Sequence, residues 1–214
     1  MEPGLIITEI FRSIQGESTY AGLPCVFVRL VGCGLRCTYC DTAYAYAGGS
    51  QVPMEEIARK VLEFKTPLVE ITGGEPLLQP GVYELMRRLA DANLRVLLET
   101  NGAHDISTCD PRVVRIMDLK TPSSGESDKN NWKNIEHLKS TDEVKFVIGN
   151  RADFDWSVDA VRKHGLVERC PVLFSAVSNS LPLATLAQWI QESGLQVRLQ
   201  PQLQKILWGD GRGV

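Results

Sequence analysis

Eight short runs rich in Val, Ile and Leu punctuate the chain, most of them separated by amphipathic segments, and no other feature narrows the fold as far. The runs are Leu5–Ile10, Cys25–Val31, Leu68–Thr72, Leu94–Thr100, Val113–Leu119, Val144–Ile148, Val172–Ser175 and Val197–Leu199. Several are near-continuously apolar instead of alternating, which is how strands read when both faces of a parallel sheet are covered. Between them, Pro53–Phe64 opens on a proline suited to a first helical turn, then sets Met54, Ile57, Ala58, Val61 and Leu62 on one face. Gly81–Ala92, Ala152–His164 and Leu183–Glu192 repeat that period. Alternating strands and helices form right-handed βαβ units, whose strand C-termini open onto a common side. About six such units fall short of a closed eight-stranded barrel. The expected fold is therefore α/β, an incomplete parallel (β/α) barrel, with residues 1–214 forming one domain.

Composition removes several function classes. Lys and Arg number 23 against 26 Asp and Glu, a formal net charge of −3, so no broad basic face is available for a nucleic-acid backbone. No stretch approaches the ~18–20 consecutive apolar residues that a bilayer span needs. The opening Met-Glu-Pro-Gly-Leu-Ile-Ile carries neither a basic n-region nor a long apolar core, so a cytoplasmic location is expected. The most polar, turn-rich stretch is Pro122–Asn134, which reads either as a lid over a site or as a surface loop.

Six cysteines are present, and three of them crowd into Cys33-Gly-Leu-Arg-Cys37-Thr-Tyr-Cys40. Cys25, Cys109 and Cys170 stand apart among apolar neighbours and read as small buried hydrophobes. A chain of this length does not need a disulfide framework. Three thiolates converging from one loop suit zinc or an iron–sulfur cluster. A structural zinc normally takes four ligands, and neither a second CxxC nor a nearby His completes the set. A four-iron cluster held by three cysteines would keep one iron open to an exogenous ligand. His104, His137 and His164 have no metal-like spacing and read as structural or surface residues.

Each remaining motif lies at the C-terminal end of a predicted strand, where parallel α/β folds bind their ligands. One strand runs into the cysteine loop. Others end in Gly73-Gly74-Glu75-Pro76, in Glu99-Thr100-Asn101-Gly102 and at Asp118-Leu119-Lys120. Arg29 interrupts the apolar Val26-Phe27-Val28-Arg29-Leu30-Val31, and a buried Arg demands a partner: a structural ion pair or a ligand anion. Asp41-Thr42 could simply cap a helix.

Taken together, Cys33-x3-Cys37-x2-Cys40, Tyr39 before the last cysteine and the later Gly-Gly-Glu-Pro resemble the radical S-adenosylmethionine (SAM) enzymes. Within them, Phe11-Arg-Ser-Ile-Gln-Gly-Glu-Ser18, Cys40-Asp41-Thr42 and the closing Leu199-Gln-Pro-Gln-Leu203 with Leu207-Trp-Gly209 resemble the 7-carboxy-7-deazaguanine synthases. That resemblance runs from about residue 5 to the C-terminus. It implies a [4Fe–4S] cluster on Cys33, Cys37 and Cys40, with SAM on the open iron and Mg²⁺ at Thr42. The implied substrate is 6-carboxy-5,6,7,8-tetrahydropterin, which ring-contracts to 7-carboxy-7-deazaguanine and ammonia. Ile14, Gln15, Gly16, Glu17, Arg29 and Thr72 are implied to bind that pterin, with Arg29 on its carboxylate. Tyr39, Asp41, Gly74, Glu99, Asn101, Asp118, Lys120 and Ser175 are implied to bind SAM. The chain departs from relatives at Asp118-Leu119-Lys120, where Ser-Pro-Lys is common, and at Ser175-Ala176, where some carry Gln-Pro. A homodimer and an electron donor such as flavodoxin are implied as partners. The cysteine spacing is shared with glycyl-radical-enzyme activases, and a zinc-stabilised adaptor is the non-enzymatic alternative.

Overall fold

The structure, a computed structural model, describes residues 4–178, 180–209 and 211–214; the first three residues of the opening segment discussed above lie outside them. One nine-stranded sheet organises the chain. Its strands are β1 (Gly4–Ile14), β2 (Pro24–Leu30), β3 (Ser50–Pro53), β4 (Leu68–Gly73), β5 (Arg95–Thr100), β6 (Val114–Asp118), β7 (Glu143–Ile148), β8 (Val172–Ala176) and β9 (Arg198–Leu199). Their spatial order is β3-β1-β2-β4-β5-β6-β7-β8-β9. From β2 to β9 every neighbouring pair is parallel, whereas β1 lies antiparallel to both β2 and β3. The two end strands do not pair, so the barrel is open, as the number of repeats predicts.

Helices α1 (Met54–Glu63), α2 (Val82–Asp91), α3 (Arg151–His164) and α4 (Leu183–Ser193) match the predicted amphipathic segments to within one or two residues. Asn150 caps α3 by accepting from Asp153 N at 3.0 Å, and Gly165 ends it in the left-handed conformation. The main core lies between these helices and the sheet, and includes Leu5, Ile57, Leu85, Leu98, Met117, Phe146 and Phe174. A smaller cluster on the other face holds Cys25, Phe27, Leu68, Leu97, Val114 and Ile116, with Phe11 and Tyr20 against it. It is the floor of the site.

Three elements escape the apolar pattern. β1 continues four residues beyond Ile10, because antiparallel pairing to β2 carries Phe11–Ile14 despite Arg12 and Ser13. β3 is four residues without an apolar run, held by pairing to β1 and by Val52 against the main core. Helix α5 (Leu203–Trp208) is a six-residue piece seated on the β1–β2 connection, where Leu203 N donates to the Gly16 carbonyl at 3.0 Å. Pro122–Asn134 folds into short 3-10 turns and is tied down on two sides. Ser123 N donates to Asp153 on α3 at 2.9 Å, while Thr38 of the cysteine loop donates through its N and Oγ1 to the carbonyls of Ser124 and Ser123 at 3.0 and 2.7 Å. The segment is a wall of the cysteine loop. Among the described residues no helix is long and apolar enough to cross a membrane.

Candidate active site

A cavity of about 680 Å³ opens at the carboxyl ends of the parallel strands. Its walls include every site residue named from the sequence except Ser175. Ser175 lies deeper on β8, where its hydroxyl donates to the Gln200 carbonyl at 2.9 Å; Ala176, Val177 and Ser178 face the cavity in its place. At that position the hydroxyl is engaged in holding the chain after β9.

One end of the cavity is sulfurous. Cys33, Cys37 and Cys40 are free thiols on the loop that leaves β2. Cys33 Sγ accepts from Leu35 N at 3.4 Å and from Asn101 Nδ2 at 3.7 Å, so the β5 end already touches the loop. Burial pushes the Cys37 thiol up to about 11, against the opposing pull of the Lys120 ammonium. The three sulfurs line one cavity, yet among the described residues no three His, Cys, Asp or Glu side chains close on a point that holds a single metal ion. Three thiols on one cavity wall suit a polynuclear cluster, in which each thiolate takes its own iron.

Gly73 and Gly74 serve this end in an unexpected way. A Cβ on Gly73 would strike the Leu30 backbone, and one on Gly74 would strike the Gly32 carbonyl. The chain closes there through Gly74 N to Leu30 O at 3.1 Å and Glu75 N to Gly32 O at 2.6 Å. The glycines thus let β4 abut the root of the cysteine loop, backbone to backbone. Glu75 is fully buried and reaches sideways, accepting from Leu77 N at 3.0 Å, Thr100 Oγ1 at 2.8 Å and Asn101 N at 2.6 Å. It joins the β4 and β5 ends and also caps the short 3-10 turn Pro76–Leu78.

The opposite end is built of carboxylates around a buried amine. Lys145 on β7, 6% exposed, donates to Glu17 Oε2 at 3.0 Å and to Glu99, with Asp118 Oδ2 at 3.9 Å. Burial alone would depress its pKa, but the three carboxylates outweigh that and raise it well above the ordinary lysine value. Burial likewise works against ionisation of Glu99, yet Lys145 and the Thr72 hydroxyl, donating at 2.8 Å, hold that carboxyl down to about 2. Glu70 beside them behaves oppositely. Burial, then the charges of Glu99 and Glu17, push it well above the carboxylate range. Glu70 bonds the Gln15 amide, whose Oε1 accepts from Glu17 N at 3.1 Å, so Gln15 is fixed at both ends. Gln202 and Gln204 each donate to Glu17 Oε1 at 3.0 Å. A Cβ on Gly16 would collide with Gln204, which explains that glycine.

Arg29 satisfies both readings of its sequence position. Its Nε donates to Glu9 at 2.7 Å while its guanidinium faces the cavity between the Phe11 and Tyr44 rings. Tyr39 OH lies 3.2 Å from Thr121 Oγ1 and donates to the Val147 carbonyl at 3.3 Å, and burial raises it to about 12. Thr42 precedes a 3-10 turn, but its hydroxyl does not cap it; it donates to Asp41 at 2.9 Å. Lys120 pairs with Asp118 Oδ2 at 2.7 Å, and Asp118 Oδ1 is buried without a hydrogen-bond partner. That acceptor fits a ligand bearing N–H or O–H donors. Cys25, Cys109 and Cys170 are buried, as expected.

Sequence reasoning missed Lys145, Glu70, Gln202 and Gln204. The signal for the first two was present: each is a charge inside an apolar strand, the argument that singled out Arg29. Gln202 lies in the closing Leu199-Gln-Pro-Gln-Leu203 quoted above, though not as a site residue, whereas Gln204 carries no local mark; both arrive by long-range packing of the C-terminal segment.

Residues 27–166 match the radical SAM superfamily. The chain is 45% identical to a 7-carboxy-7-deazaguanine synthase from Chlorobaculum tepidum over 100% of this chain and 99% of that protein. It is 38% identical to a 7-carboxy-7-deazaguanine synthase from Thermoplasma acidophilum, covering 98% and 100%. In three dimensions it resembles the crystal structure of QueE from Escherichia coli, with a TM-score of 0.77 over 94% of both chains at 20% identity. It also resembles Streptococcus suis SuiB bound to S-adenosylmethionine, with a TM-score of 0.58 over 79% of this chain and 48% of that one at 15% identity. These two likenesses are of fold.

Proposed function

The chain belongs to the radical SAM superfamily and, within it, to the 7-carboxy-7-deazaguanine synthases, and on that premise we propose how its cavity is used. The protein is a lyase that converts 6-carboxy-5,6,7,8-tetrahydropterin to 7-carboxy-7-deazaguanine and ammonia. Its family works with a [4Fe–4S] cluster and SAM. The observation that carries the reading is one cavity with three free thiols at one end and a fixed Gln15–Glu17–Arg29 set at the other.

Cys33, Cys37 and Cys40 hold the cluster, which with SAM supplies the one-electron chemistry that initiates ring contraction. Asn101, Asp118 and Lys120, together with Gly74, Tyr39, Asp41 and Glu99, bind SAM. Support comes from the unpartnered Asp118 Oδ1, an acceptor for a hydroxyl or ammonium. Ser175 contributes only by holding β9 through Gln200. At the far end, Ile14, Gln15, Gly16 and Glu17 receive the amide and amine edge of the pterin, since a carboxylate accepts several N–H donors from a guanidine-like group. Arg29 binds the substrate carboxylate, its orientation set by Glu9 and two aromatic faces. Thr72 borders the same space through its bond to Glu99.

Thr42 is the protein ligand for Mg²⁺. A lone hydroxyl is a weak donor set for a hard cation, so waters and the substrate carboxylate would complete the shell, and metal and substrate should bind together. Residues 1–214 act as one radical SAM domain. A flavodoxin-like donor supplies the electron in the cytoplasm. Two copies pair, a reading supported by exposed Leu199, Ile206 and Leu207 near the short edge strand β9.

The test is anaerobic reconstitution followed by iron and sulfide quantification, then incubation with reductant, SAM, Mg²⁺ and the carboxypterin. The expected result is about four irons per chain, as for a [4Fe–4S] centre, with formation of the deazapurine. Stoichiometric zinc without iron, or a loaded protein that leaves the pterin unchanged, overturns the reading.

A further inference from the structure

Lys145 is a buried group that joins two sides of the cavity wall. It rises from the middle of β7, in register with Asp118 on β6, and its ammonium sits between Glu17 on the β1–β2 connection and Glu99 at the end of β5. Glu17 is otherwise held only by amide donors from Gln202 and Gln204, on a connection that does not belong to the parallel sheet. Glu99 is otherwise held by the Thr72 hydroxyl. Without a cation between them, two carboxylates and the neighbouring Glu70 would share a poorly solvated pocket, and like charges there repel strongly. One ammonium with three N–H bonds relieves that repulsion and fixes where each carboxylate points.

We propose that Lys145 is a positioning residue for substrate recognition: by bridging Glu17 and Glu99 it holds the Glu17 carboxylate in the orientation that receives the pterin's amine edge. The inference rests on the substrate reading given above, and it makes no use of the cluster. Two of the three Lys145 N–H bonds go to Glu17 and Glu99, and Asp118 Oδ2 lies 3.9 Å away, so the effect assigned to it on the pterin runs through Glu17. It follows that loss of Lys145 weakens pterin binding more than SAM binding, which draws on Glu99 and Asp118 but also on residues that Lys145 does not touch.

The experiment uses reconstituted holoenzyme and the variants K145M, K145Q, K145R, E17Q and E17Q/K145M. Oxidised pterin-6-carboxylate serves as a fluorescent equilibrium probe, alongside turnover of the carboxytetrahydropterin and substrate-free release of 5′-deoxyadenosine. K145M should lose roughly tenfold or more in pterin affinity and raise KM, the size of a lost charge-assisted contact. K145R should recover most of it. The substrate-free release should fall by a smaller factor than pterin affinity, because Lys145 reaches the SAM-binding residues only at Glu99 and Asp118. E17Q/K145M should bind pterin no worse than E17Q, the signature of one residue acting through another. If K145M does not fold, K145Q, which keeps hydrogen bonds but not charge, gives the same reading. Wild-type affinity in K145M or K145Q, or additive losses in the double variant, overturns the proposal. Failure of the wild-type holoenzyme to convert the pterin sinks the assigned function instead, and equilibrium binding by the variants then still reports on Lys145.

Discussion

The two ends of the cavity are built on opposite principles. At the sulfur end, backbone contacts dominate: Gly73 and Gly74 let β4 meet Leu30 and Gly32, and Cys33 receives two long hydrogen bonds. At the carboxylate end, side chains from five separated chain segments satisfy one another, through Gln15, Glu17, Glu70, Glu99, Lys145, Gln202 and Gln204. The first end leaves its reactive atoms free for a group that must be added after folding. The second is complete in the protein itself and so reads shape and hydrogen bonding before any cofactor arrives. A site that must both load a soft metal centre and discriminate a polar heterocycle needs this division.

The sharpest way to break the comparison is to remove one sulfur. Cys37→Ala should abolish cluster retention, seen as iron falling to background and loss of product, while the carboxylate end still binds pterin-6-carboxylate. If pterin binding disappears with the iron, the two ends are not independent. Next in size is Arg29→Lys, which keeps the charge but loses the planar fork that meets Glu9 and a carboxylate together. A loss of roughly 1.5–3 kcal/mol for such a contact corresponds to about a 10- to 100-fold rise in pterin KM. Iron content should not change, and a variant with wild-type KM would show that Arg29 serves only its ion pair with Glu9.

Gly74→Ala probes the backbone contact. The new methyl meets the Gly32 carbonyl, which cannot yield without moving the cysteine loop. A cost of about 2–4 kcal/mol and a fall of roughly 5–15 °C in Tm are expected, with faster cluster loss. An unchanged melting point would mean that β4 does not support the loop as described.

How much of this was legible in the sequence follows the same division. The sulfur end is local: three cysteines within eight residues, and a glycine pair directly after an apolar strand, announce themselves in one dimension. The fold was legible for the same reason, since each strand–helix unit carries its own period. The carboxylate end is not local. Glu17, Glu99 and Lys145 lie on different elements, and only the curvature of the sheet brings them together. Strand β3 and helix α5 were hidden because pairing and docking, not apolar periodicity, create them. Ser175 shows the converse hazard: it sits in a strand approaching the correct mouth, but at a level where its hydroxyl is needed by β9.

The smallest expected effect is also the most discriminating about how the carboxylate end is charged. Glu70 has its pKa raised in the folded protein by burial first and then by Glu99 and Glu17. Below the ordinary carboxylate value it is protonated whether the chain is folded or not, and it has no electrostatic cost. As pH rises past that value, the unfolded chain gains by ionising while the folded chain does not, so stability drains away until the folded group ionises too. Glu70→Gln keeps the shape and a hydrogen-bonding partner for Gln15 but has nothing to titrate. The variant should therefore match wild-type Tm most nearly at low pH and exceed it by a few degrees near neutral pH, with the gap opening as pH passes the ordinary carboxylate value. Paired melting curves across that range test the sign directly. A gap that is absent, or that narrows as pH rises, would mean that Glu70 is ionised in the native protein and that Lys145 balances three carboxylates besides Asp118 instead of two.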